Sequence, residues 1–129
     1  MKSVFPVSTR PAEYVAFFNF IVPTLEGPGH VFMAVDGFSQ FGFHLGVEPD
    51  ASPDSVLKCI RSLLSDPKFA KAAKNGFTLV LGEHEALSNA ILGILRPLNG
   101  RLIFDPAFNA HLAKPLVDDF KGRFSRPGR

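Results

Sequence analysis

The sequence predicts a single α/β domain built on a five-stranded mixed sheet with helices on both faces. Three observations carry that expectation. Three apolar segments near the N-terminus are separated only by short turns, which implies an antiparallel meander. From Ser52 onward the hydrophobic period changes, and helical stretches alternate with short apolar strands. With 129 residues, 46% hydrophobic and 20% charged, the chain suits one core.

The elements follow in order. Residues 1–11 read as an N-terminal arm broken by Pro6 and Pro11, ahead of a domain over 12–122 and a basic tail over 123–129. Tyr14–Val22 (YVAFFNFIV) is almost wholly apolar and aromatic, the composition of a buried strand. Pro23–Gly29 reads as a turn, His30–Val35 as the second strand, and Phe41–Val47 as the third. Asp36-Gly37 between the last two is a tight-turn pair. Ser52 is a good N-cap, Pro53 fits the first helical position, and Asp54 complements the dipole. Val56, Ile60, Leu63 and Leu64 then share one helical face until Pro67. A short Ala/Lys helix follows over 68–75, closed by Asn75-Gly76.

Phe77–Leu81 (FTLVL) lacks alternation, so the fourth strand is expected to be buried on both faces. Glu83–Leu95 reads as a helix with Leu87, Ile91, Ile94 and Leu95 inward, stopped by Pro97 and Asn99-Gly100. Arg101–Phe104 is the fifth strand. After a loop or short helix, Pro115 opens a last helix through Phe120. The order β-β-β-α-β-α-β-α is that of ribonuclease H-like domains.

Composition excludes several classes. No apolar run approaches the ~20 residues that span a bilayer, and the first residues have no signal-peptide core, so a cytoplasmic location is expected. Cys59 is the single cysteine, which precludes an internal disulfide. Net charge is +2, too weak alone to indicate nucleic acid. Lys121, Arg123, Arg126 and Arg129 nevertheless form an acid-free basic end, a candidate contact for DNA phosphates. Lys58, Arg61, Lys68, Lys71 and Lys74 read as a solvated helix face. No Gly-rich phosphate loop is present, so no small-molecule substrate is indicated.

Four segments resemble the catalytic core of retroviral-type integrases and DDE transposases. HVFMAVDGFSQFGFHLGV (residues 30–47) is similar to that family's strand, Val-Asp-aromatic-Ser turn and returning strand. Ser52 and the helix over 55–64 match in place and length. TLVLGEHEAL (78–87) looks like the strand that ends in Asp-Asn-Gly, and RLIFDPAFNAHLAKPLVDD (101–119) like the fifth strand, flexible loop and glutamate-bearing helix. The resemblance implies three carboxylates holding two divalent metals about 4 Å apart for in-line phosphoryl transfer. It places them at Asn19, Gly82 and Asp118, with residues 83–117, thirty-five in all, between the last two.

This chain departs from that pattern. Asn19 is neutral, Gly82 has no side chain, and Asp118 is shorter than glutamate. Ala16 stands where a tryptophan often precedes the first aspartate. The expectation is therefore a catalytically degenerate domain of mobile-element descent, with no metal or other cofactor, acting as a binding or scaffolding module that contacts the DNA backbone non-specifically; one alternative is a protein-protein interaction domain that pairs with itself through helix faces. The other alternative is a nuclease or strand-transferase with relocated ligands, Glu83, Glu85, Asp118 and Asp119, holding Mg²⁺ or Mn²⁺. Asp36 is expected to bond its own turn. His30, His44 and His111 lack zinc-ligand spacing, Cys59 reads as a buried small hydrophobe, and Ser39 and Ser88 lack a nucleophile context.

Overall fold

The computed structural model describes residues 7–125, with side chains as far as residue 122. Strands β1 (Tyr14–Thr24), β2 (Gly27–Asp36) and β3 (Gly42–Glu48) form an antiparallel meander. Helices α1 (Pro53–Ser65) and α2 (Pro67–Ala72) lead to β4 (Phe77–Leu81). Helix α3 (Ser88–Leu95), β5 (Gly100–Phe104) and α4 (Pro106–Ser125) complete the described chain. The sheet order is β3-β2-β1-β4-β5, with β1, β4 and β5 mutually parallel, so the domain has the ribonuclease H-like α/β fold.

Strand β1 explains the layers. Its side chains alternate, and both faces are covered. Val15 and Phe17 join Phe32, Ile60, Leu63 and Phe69 under α1–α3. Ala16, Phe18, Phe20 and Val22 join Val80, Phe108 and Leu112 under α4. Strand β4 divides likewise, with Phe77, Leu79 and Leu81 on the first face and Val80 on the second. An apolar run without polar alternation is what such a two-sided strand requires. Each large side chain so buried contributes roughly 1.5–3 kcal/mol. Most phenylalanines are consumed here: Phe43, Phe69 and Phe77 form consecutive edge-to-face pairs at 5.9 and 5.1 Å.

The structure differs from expectation in three places. The first hairpin is longer, because the segment expected as a turn over Pro23–Gly29 continues both strands and turns only at Leu25-Glu26. Pro23 and Pro28 sit opposite each other there, beyond the end of the β1–β4 ladder, where a missing donor is tolerated. Helix α3 starts at Ser88 and not at Glu83, because His84 takes a left-handed conformation (φ 69°) that no helix continues. Only a short 3₁₀ turn, Glu85–Leu87, precedes it.

The third difference is the last helix. It begins at Pro106, not Pro115, and runs 20 residues to Ser125. Asp105 starts it, its carboxylate accepting from the Phe108 N–H at 3.0 Å, with Pro106 at the first helical position. Pro115 lies inside on the exposed side, while Leu112 and Ala113 beside it are buried against the sheet. Packing thus carries the helix through a residue that normally breaks it. Pro115→Ala is expected to stabilise the protein by about 1–3 kcal/mol, because it adds a main-chain donor within a continuous helix. Urea melts check this; a loss of stability would mean that Pro115 begins a helix.

Candidate functional site

Strands β1 and β4 end their shared ladder at Phe17 and Leu81, and α4 crosses their C-terminal ends. The crossing leaves a cleft of about 230 Å³. Asn19, Gly82 and Glu83 line it from the strand side, and Asn109, Ala110 and Ala113 from α4. In an open parallel sheet this is where ligands and chemistry concentrate.

Asn109 is the centre of the site and was not singled out in the sequence. Its side chain is 4% exposed. The amide nitrogen donates to two carbonyls on adjacent strands, Phe17 O at 2.8 Å and Val80 O at 3.0 Å. One donor group therefore clamps α4 to both strands where their ladder stops. The amide oxygen is buried without a partner among the described residues. The Asp105-Pro106 helix start was the available signal: once it is read, Asn109 falls in the first turn, facing the sheet.

Asn19 and Gly82 do meet at the cleft. The Asn19 Oδ1 lies 3.2 Å from His84 Nε2, and that ring nitrogen lies 3.8 Å from the Glu83 carboxylate. The left-handed bend at His84 aims the ring back at β1. A Cβ placed on Gly82 would touch Pro106 Cα at 3.4 Å and Asn109 Cβ at 3.6 Å, ordinary contacts. The start of α4 thus packs against the bare backbone of Gly82.

Asp118 does not join them. It is nine residues past Asn109, about 13 Å along the helix axis. It is exposed and pairs with Lys114 at 2.7 Å, which pushes the Lys114 ammonium above its ordinary value. Asp119 and Glu85 are also exposed and line no part of the cleft. Only Glu83 among the four alternative ligands reaches it. Among the described residues no group of three His, Cys, Asp or Glu side chains is placed to hold a metal. The donor set at the cleft, two neutral amides and one exposed carboxylate, does not fit two Mg²⁺ ions, which require several anionic oxygens.

The remaining candidates have structural roles or stand apart. Asp36 is 5% exposed and does more than bond its own turn. Its carboxylate accepts from the Phe38 N–H at 3.1 Å, the Ser39 hydroxyl at 2.9 Å and the Ala12 N–H at 3.0 Å, which ties the arm to the β2–β3 turn. His30, His44 and His111 lie on β2, β3 and α4. Cys59 is 1% exposed, and burial, aided by the Glu48 carboxylate, pushes its thiol up to about 11. Lys58 pairs with Glu48 at 3.0 Å, and Lys68 sits 5.0 Å above the Phe41 ring. Lys121 lies exposed near the end of α4, the Arg123 side chain is beyond the described side chains, and Arg126 and Arg129 lie outside the described residues.

The comparisons bear on the fold. A chain in the cryo-EM structure of the simian T-cell lymphotropic virus intasome in complex with PP2A regulatory subunit B56 gamma superposes with a TM-score of 0.71. The backbone has a solved counterpart. Identity is 9%, and the match covers 98% of this chain and 48% of that one, so this chain spans about half its length. At that identity the likeness speaks to fold alone. No protein-family model matches the chain. No curated protein matches it either.

Two outcomes follow from this geometry. Asn109→Leu keeps the branched outline but strips the donors from two buried carbonyls, at a cost of about 2–4 kcal/mol. Asn109→Asp costs more at neutral pH, because a buried carboxylate faces carbonyl oxygens; equal melting temperatures for wild type and both variants would contradict the clamp. The folded Cys59 thiol stays protonated and unreactive toward a thiol reagent near pH 8 until denaturant exposes it; prompt labelling of the native protein would contradict its burial.

Proposed function

We propose that this domain is an integrase-like core that has lost two-metal chemistry and works as a binding or scaffolding module of mobile-element descent. The observation that carries the reading is the set of side chains just past the end of the β1–β4 ladder. Asn19 and Gly82 occupy the two strand positions, and α4 presents Asn109, whose amide is committed to strand carbonyls. A two-metal site needs those three places to hold anions. Here they hold hydrogen-bonded neutral groups and backbone. The backbone shared with a chain of a viral intasome complex is consistent with that descent.

Such a module acts by contact. Where it meets DNA it does so through backbone phosphates and without reading sequence, using Lys121 and the basic residues that follow it. Relocated carboxylates are not favoured, since Glu85, Asp118 and Asp119 do not line the cleft.

Thermal melting in a Mn²⁺ and Mg²⁺ titration tests the loss of metal binding. The expected result is no saturable rise in melting temperature, and no DNA cleavage or strand transfer. Asn19→Asp alone restores neither, because Gly82 still supplies no ligand. A saturable rise for the wild type, or Mg²⁺-dependent cleavage by the single variant, would overturn the proposal.

A further inference from the structure

At the opposite end of the sheet from the cleft, the N-terminal ends of β4 and β5 carry a two-part groove. One part is apolar, about 330 Å³, floored by Phe69, Ala73 and Phe77 and walled by Leu64 and Leu98. Leu98 is 48% exposed and adds apolar surface at the edge of the pocket. The other part is polar, about 150 Å³, and holds Arg10 and Arg101. The two parts adjoin, since Phe77 and Asn99 line both.

Cations outnumber acids around the groove, where Arg10, Lys74 and Arg101 stand against Glu13, whose carboxylate also feels the Arg10 charge. Arg101 and Lys74 are exposed and have no carboxylate partner among the described residues. Arg10 donates to the Gly76 carbonyl at 3.1 Å, which fixes its guanidinium at the rim. The one acid in the polar part, Glu13, is turned onto Thr9, accepting from its N–H at 2.6 Å and its hydroxyl at 2.9 Å. Guanidinium groups beside an apolar pocket match a ligand that carries a carboxylate next to an apolar side chain.

We propose that this groove docks an acidic peptide segment of a protein partner, with an aliphatic or aromatic side chain in the apolar pocket and a neighbouring Asp or Glu on Arg10 and Arg101. The pocket volume is at the low end of the range for ligand sites and suits one or two side chains. Nucleic acid is the weaker occupant: a phosphate backbone satisfies the arginines but has nothing to place against Phe77 and Leu98. The groove is independent of the cleft, and the proposal stands whether or not metal binds there.

Fluorescence polarisation on the full chain tests it with three labelled peptides, one alternating Leu and Glu, one Leu and Gln, one Gly and Glu, and with a labelled DNA duplex. The Leu/Glu peptide is expected to bind about tenfold or more tightly than either control. Arg101→Glu and Leu98→Asp each remove that preference while the melting temperature, read by circular dichroism, stays unchanged. No binding up to about 1 mM, equal binding of the three peptides, or a preference that survives both substitutions would overturn the proposal. So would duplex DNA binding that Arg101→Glu abolishes while the peptides do not bind.

Discussion

The side-chain nitrogen of Asn109 donates to a carbonyl on each of two neighbouring strands, and the position of α4 follows from that pair of bonds. The ladder between β1 and β4 stops at Phe17 and Leu81, so the strands begin to part where the clamp sits. A buried carbonyl left without a donor costs about 1–3 kcal/mol, so the helix cannot slide along the sheet without losing one or both bonds. The packing of Phe108, Leu112 and Ala113 against β1 and β4 supplies the apolar area that holds the helix down. The clamp sets its register. It also shapes the chemistry of the cleft, because the Asn109 nitrogen is engaged with the strands and leaves only a neutral amide oxygen where a two-metal site needs an anion.

Two further features depend on that register. Gly82 faces the first turn of α4 at van der Waals distance, so the strand end is covered by helix backbone as much as by side chains. The left-handed bend at His84 carries the chain away from the cleft and delays α3 until Ser88. The cleft is thus bounded by the first turn of α4 on one side and on the other by Asn19, which His84 contacts from outside the lining. Asn19, the polar break in an otherwise apolar strand, is accounted for by that contact.

Most of the fold was legible in the sequence. Strands β1 to β5, the order of elements and the two-sided burial of β4 follow from apolar runs, turn pairs and the change of period at Ser52. The misread parts share a cause. Pro115 reads as a helix start because proline is favoured at the first helical position, whereas buried neighbours on one side of α4 carry the helix through it. The count from Gly82 to Asp118 matched a linear spacing, but a helix presents residues by phase and rise, not by count. Once α4 starts at Pro106, its first turn meets the strand ends and Asp118 lies farther along. The Asp105-Pro106 start places Asn109 in the first turn of α4, but nothing local shows that its amide reaches strand carbonyls 29 and 92 residues away.

Hydrogen exchange of the Asn109 side-chain amide, followed by ¹⁵N–¹H NMR, tests this account most directly. A nitrogen that donates to two buried carbonyls exchanges slowly, with both proton signals shifted from the pair that a solvent-exposed asparagine amide shows. Protection comparable to that of main-chain amides in β1 and β4 is the predicted result. Exchange as fast as that of an exposed asparagine would mean that α4 is not clamped to the strands, and the explanation of the cleft offered above would fail with it.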